Sequence, residues 1–143
     1  MSEHPIPAVD AIIAMNDGIV LIERRFPPHG WALPGGFIET GETVETAVRR
    51  ESREETGLEL EELALFGVYS DPHRDPRRHT ISIVFSARGI GIPKAGDDAG
   101  AIRILPIQDI DLPLAFDHSV ILADYLAAMK RENPGNHFSF RNK

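Results

Sequence analysis

Cysteine is missing altogether from this 143-residue chain. That excludes disulfides, thiol nucleophiles and cysteine-bound zinc. Long apolar runs are missing too. No stretch approaches the roughly 18 apolar residues that a membrane span requires, so no membrane partner is expected. The opening MSEHPIPAVD has no basic start followed by an apolar block, so it is unlike a secretory signal. A cytoplasmic location fits. Basic charge is in short supply: 15 Lys and Arg against 22 Asp and Glu leave a formal charge of −7. A broad nucleic-acid surface needs a basic patch, so no nucleic-acid partner is expected either. A small phosphorylated substrate stays compatible, because a local arginine cluster or a metal ion reverses the sign of one site. Repeats, low-complexity tracts and linkers are also absent. The chain therefore reads as one domain over 1–143, with a core of about 6–130 and a tail at 131–143. Its 42% hydrophobic and 26% charged residues are those of a globular protein.

What is present falls into alternating signals. VDAIIAM and IVLIER flank the turn signal NDG and read as a hairpin. FPPHGWALPGG reads as a rigid loop rich in proline and glycine. Thr43 to Glu55 reads as a helix closed by Gly57. LALFGVYS and TISIVFSARGI read as strands, separated by the charged loop DPHRDPRRH. AGDDAG is a turn before a short strand, AIRILPI. AFDHSVILADYLAAMK has helical apolar spacing at Phe116, Val120, Ile121 and Leu126. Strands flanked by two separated helices point to a layered α/β or α+β sandwich.

The helix carries the chemistry. At about 100° per residue, Val44, Ala47 and Val48 share one arc, which should pack on the sheet. Glu51, Glu54 and Glu55 fall in the same arc, whereas Glu45, Arg49 and Arg53 take the outer face, with Glu45 and Arg49 as an i, i+4 pair. Three carboxylates turned towards a core or cleft must hold protons or a cation. Their i, i+3 and i+4 spacing lets the oxygens converge, and all-oxygen ligation suits magnesium or manganese. Arg50 stands where it can pin a carboxylate in place. The bland alternative is a solvated, charge-laced surface helix.

The spacing resembles a known signature. Gly36, five residues, Glu42, seven residues, Arg50-Glu51, two residues, Glu54-Glu55, one residue, Gly57 and Leu58 look like the Nudix box of hydrolases that cleave nucleoside diphosphates linked to another group. Ser52 stands where the box usually has an aliphatic residue; a small packing effect is expected. WALPGGF is similar to the family's approach loop, and Tyr69 to Ala87, with the final AFDHSVILADYL, looks like the corresponding segments of its ADP-ribose pyrophosphatases. The resemblance implies the Nudix fold, an α+β protein built as an α/β/α sandwich with a mixed β-sheet between helices, the box forming a loop–helix–loop motif. It implies metal binding by Glu51, Glu54 and Glu55, a backbone carbonyl from Gly35 or Gly36, a supporting or metal-binding Glu42, and an orienting Arg50. It also implies Mg2+, with Mn2+ as a substitute, and a homodimer.

Relatives often carry a late glutamate as metal ligand or base, and here Ala101 takes that position. Asp97, Asp98 or Glu54 are the candidates to replace it. Arg24 and Arg25 end a strand, and Arg74, Arg77 and Arg78 lie in the charged loop; all five are candidate phosphate or ribose contacts, or else plain surface charge. Trp31 and Phe37 fit packing better than base stacking. His118 reads as a helix-start residue. The expected reaction is attack of water on the diphosphate of ADP-ribose, giving AMP and ribose 5-phosphate. Hydrolysis of oxidised nucleotides or dinucleoside polyphosphates is the alternative within catalysis, and a nucleotide-binding sensor the alternative outside it.

Overall fold

The computed structural model describes residues 3–132; most of the expected tail, 131–143, lies outside them. The hairpin forms as expected. β1 (Ile6–Met15) and β2 (Gly18–Arg24) are joined by Asn16 and Asp17, whose φ of 52° and 61° are the left-handed pair of a type I′ turn. They stay paired only at Ala14–Ile19 and Met15–Gly18. Beyond that they diverge, and the expected loop fills the wedge as two short strands. β3 (Gly30–Ala32) pairs with β2, and β4 (Gly35–Phe37) pairs with β1 over Ala8, Val9 and Asp10. This corrects the loop reading. Runs of three residues between prolines carry too little pattern to be seen as strands.

α1 (Val44–Thr56) follows, with Thr43 as its N-cap and Gly57 at φ 72° closing it. β5 (Glu59–Tyr69) and β6 (Thr80–Ile90) form a long antiparallel pair, and β6 lies parallel to β1 from Ile6–Thr80 to Ala14–Arg88. β7 (Ala99–Leu105) pairs with β2. A 3-10 turn (Ile107–Asp109) leads to α2 (His118–Glu132). The seven-stranded mixed sheet has the order β3-β2-β1-β6-β5, with β4 beside β1 and β7 beside β2.

Strand alternation sorts the core into two layers. Val9, Ala11 and Ile13 face α1 and pack with Ala47, Val48, Leu58 and Phe85. Ile12, Ile19, Leu21 and Val84 face α2 and pack with Ile121, Leu122 and Tyr125. The α/β/α sandwich is thereby formed. α2 packs through His118, Ile121, Leu122 and Tyr125 while Val120 is exposed, so its buried stripe is offset from the expected one. Among the described residues, no helix is long and apolar enough to cross a membrane.

Candidate active site

The α2 layer turns polar where α2 begins. One strand-step from Ile12 comes Asp10, and one from Val84 comes Ser82, then Thr80; all three are buried. Opposite them stand His118 and Arg74, also buried. This polar end opens into a cleft beside the wedge, bordered by Gly35, Glu55, Arg24, Arg77 and Phe116.

α1 brings its carboxylates to this region in three different states. Glu55 reaches over β4 and its Oε1 accepts the Gly35 N–H at 2.7 Å. Burial pushes its carboxyl up to about 8, with Glu51 and Asp10 adding to the rise. Glu51 is half-buried and raised for the same primary reason, burial, against the pull of Arg50. Glu54 does not share the inward arc: its side chain is 59% exposed and does not line the cleft. Ser52 and Thr56 take the fully buried positions instead. Glu51 and Glu55, four positions apart, lie together on one side of the Ser52 row.

Arg50 organises the set as its position suggested. Its Nε and Nη2 donate to the two Glu42 oxygens at 2.6 and 2.9 Å, and Nη2 also donates to the Phe37 carbonyl at 3.1 Å. Nη1 donates to Glu51 at 3.2 Å and Glu54 at 3.1 Å. Glu42 in turn accepts the Glu39 N–H at 2.8 Å, closing the loop before α1. The Arg50 hydrogen bonds, then the one from Glu39, hold its carboxyl down at about 2. The outer face differs from expectation in one pair: Arg49 donates to the Leu60 carbonyl at 2.8 Å rather than meeting Glu45.

The donor set fits a hard cation. It is all oxygen, it includes the Glu55 carboxyl with no cation of the described residues within ion-pair distance, and a Cβ built at Gly36 would run into the Glu51 carboxylate. The oxygens do not yet converge. Among the described residues no three His, Asp or Glu side chains stand ready to hold a metal. Arg50 holds Glu51 and Glu54, and Gly35 holds Glu55, so ligation requires those bonds to be exchanged.

The arginines separate by environment. Arg74 is buried and forms a two-pronged pair with Asp117, at 3.0 and 2.7 Å, plus a bond to Thr80 at 2.7 Å. It ties the 70–79 loop to the start of α2. Arg77 pairs with the buried Asp75 and lies over the rings of Phe37 and Phe116 at 5.6 and 5.2 Å. Arg24 lies over Phe116 at 4.9 Å and donates to the carbonyls of Pro28 and Pro27, with no carboxylate of the described residues in ion-pair reach. Burial, then Arg77, lowers its proton affinity. Arg25 and Arg78 are exposed and do not line the cleft. Asp97 and Asp98 are exposed in a turn that docks on the end of α1 through the Gly96 N–H to the Glu55 carbonyl, 3.1 Å, and they do not line the cleft either.

Two cleft residues carry signals that the sequence reading passed over. Asp10 interrupts the apolar run AVDAIIAM at a position that alternation turns inward. His118 does begin α2, as expected, yet it is 1% exposed and its Nδ1 accepts the Leu33 N–H at 3.0 Å. Phe116, at φ 57°, sits between Arg24 and Arg77. Trp31 packs with the α2 layer, as its packing reading held.

Comparisons with known proteins bear on the family and the fold. The NUDIX domain family profile matches residues 4–125. The chain is similar to an ADP-ribose pyrophosphatase of Methanocaldococcus jannaschii, 52% identical over 126 residues that cover 86% of this chain and 74% of that one. Among solved structures, a bifunctional NMN adenylyltransferase/ADP ribose pyrophosphatase from Francisella tularensis superposes with a TM-score of 0.78 at 30% identity, covering 89% of this chain and 42% of that one. A second structure of the Francisella protein is a complex with AMP and a Mn ion; it superposes at a TM-score of 0.76 and 29% identity, over 89% of this chain and 42% of that one. A full-length box, the sandwich fold and a family match over most of the residues lead to one conclusion: the chain belongs to the NUDIX domain family and is a Nudix hydrolase.

Proposed function

We propose that the protein hydrolyses the diphosphate of ADP-ribose, releasing AMP and ribose 5-phosphate, with Mg2+ as cofactor. One observation carries the reading: a single cleft joins Glu55 and the Gly35–Gly36 backbone to the guanidinium groups of Arg24 and Arg77. Carboxylates and glycines suit a cation and a diphosphate; the arginines suit the phosphates and the sugar between them. The pyrophosphatase with 52% identity supports the substrate.

Glu51, Glu54 and Glu55, with a carbonyl of Gly35 or Gly36, would hold the metal. When bound, magnesium supplies positive charge to the diphosphate oxygens and acidifies a coordinated water. Arg50 keeps the carboxylates within reach while they exchange partners, and Glu42 keeps Arg50 in place. Glu55 gives up its proton and its Gly35 bond. Of these three α1 carboxylates Glu54 is the most exposed, its side chain 59% accessible, which suits it to take a proton from water. Arg24 and Arg77 align the diphosphate. Water adds to one phosphorus as the bridging oxygen leaves, and alignment with charge neutralisation provides most of the acceleration.

The test is a substrate panel with magnesium, products separated by chromatography. AMP released fastest from ADP-ribose, and stopped by chelator, is the expected result. Faster turnover of an oxidised nucleotide or dinucleoside polyphosphate would replace the substrate. Tight binding of ADP-ribose without any product would replace catalysis by sensing, with Ala101 as the cause.

A further inference from the structure

The floor of the cleft holds an acceptor and a donor that do not satisfy each other. The Asp10 Oδ2 accepts the Ser82 hydroxyl. Its Oδ1 accepts no hydrogen bond from any described residue. The nearest opposing group is His118 Nε2, at 3.6 Å, beyond hydrogen-bond reach. Because His118 Nδ1 accepts the Leu33 N–H, the ring's proton sits on Nε2. An N–H and a carboxylate oxygen therefore stand side by side on the cleft floor, each with capacity unused. The neighbouring cation does not change this, since Arg74 is committed to Asp117 and is 3.9 Å from Asp10 Oδ2.

We propose that Asp10 and His118 form a hydroxyl-selective pair that receives a sugar hydroxyl of the diphosphate substrate, with Asp10 as the specificity-determining residue. A hydroxyl donates to Asp10 Oδ1 and accepts from His118 Nε2 at once. A phosphate oxygen brings no hydrogen for Asp10, and an ammonium group no lone pair for His118. The fixed Asp10 charge also turns phosphates away from the floor, towards Arg24 and Arg77. Position agrees with this. Asp10 is the β-ladder partner of Gly35, whose N–H holds Glu55, so the pair lies directly beside the carboxylate end of the cleft. Buried polar groups left without their hydrogen bond are costly, which is how such a pair rejects a sugar lacking the hydroxyl.

The inference rests on the sugar-linked diphosphate reading above, and its test separates the two. ADP-ribose is compared with analogues that lack one hydroxyl of the terminal ribose, at saturating magnesium, for the wild type, Asp10→Asn and Asp10→Ala. Melting curves confirm folding; the Asn form keeps a partner for Ser82. For one analogue the wild-type kcat/KM should fall by about tenfold or more. In Asp10→Ala that penalty should shrink to about threefold or less, chiefly through KM, because the acceptor has gone from both reactions. Equal losses on every substrate would leave Asp10 a structural residue and overturn the proposal. So would retained discrimination with a raised magnesium requirement, which would make Asp10 serve the metal. Wild-type turnover of ADP-ribose with no hydroxyl preference removes the hydroxyl pair alone. No turnover of any sugar-linked diphosphate removes the substrate reading and the pair with it.

Discussion

Ser52 is a small polar side chain in the most buried row of α1, and its Oγ has no hydrogen-bond partner. A buried hydroxyl without a partner costs about 1 kcal/mol or more. Ser52→Ala should therefore raise stability by about 1 kcal/mol, or ~3 °C in a calorimetric melt. A lower Tm would mean the hydroxyl is satisfied in solution. The expected effect of this departure from the box was a packing effect; burial makes it an unmet hydrogen bond as well. Glu54 and Glu55, neighbours in sequence, differ as much. One is exposed and accepts from Arg50, the other accepts the Gly35 N–H of β4. Both should still be needed: Glu54→Gln and Glu55→Gln should each lower kcat by orders of magnitude with the melting curve preserved. Near-normal turnover in both would remove them as metal ligands.

At the scale of elements, burial against β4 holds a proton on Glu55 of α1. In the metal-free protein Glu55 stays protonated up to about pH 8, whereas an unfolded glutamate releases its proton near 4.5. The folded chain thus binds more protons across that window. Its stability is fully present below 4.5 and is lost as pH rises towards and through 8, by an amount on the order of a few kcal/mol. Melts of chelated protein between pH 5 and 9 should show the decline. Magnesium should flatten it, and so should Glu55→Gln. A flat profile in the chelated wild type would show that Glu55 is ionised when folded. The 70–79 loop divides its arginines in the same way. Arg74→Gln strands Asp117 and should cost about 3 kcal/mol, read as a lower Tm. Arg77→Gln should act mainly on function, raising the KM for ADP-ribose by about tenfold, the loss of one charge-assisted contact. An unchanged KM would make Arg77 a surface pair with Asp75.

At the scale of the whole molecule, the sheet ends in an exposed strand. Among the described residues β5 pairs only with β6, and Leu65 and Val68 on it are 63% and 58% exposed. A long edge carrying apolar side chains invites pairing with another chain. We propose that the protein is a homodimer using this edge; light scattering should give twice the 15.8 kDa of one chain, and Leu65→Lys should shift it to the monomer. A monomeric wild type would reject the assembly.

Much of this molecule was determined by sequence alone. The turn NDG sets the first hairpin, Thr43 and Gly57 bound α1, the 80–90 alternation fits β6 end to end, and the box spacing names the carboxylates. These are local matters: backbone preference, capping and period act within a few residues. Tertiary structure alone decided the rest. It set the wedge between β1 and β2, the exposure of Glu54, and the division of Arg74 from Arg77. It also brought Asp10 and His118, 108 positions apart, to within 3.6 Å. Each of these depends on which distant element supplies a counter-charge, a donor or a covering surface. Burial and partnership belong to the pair in contact, and a linear sequence records only one member at a time.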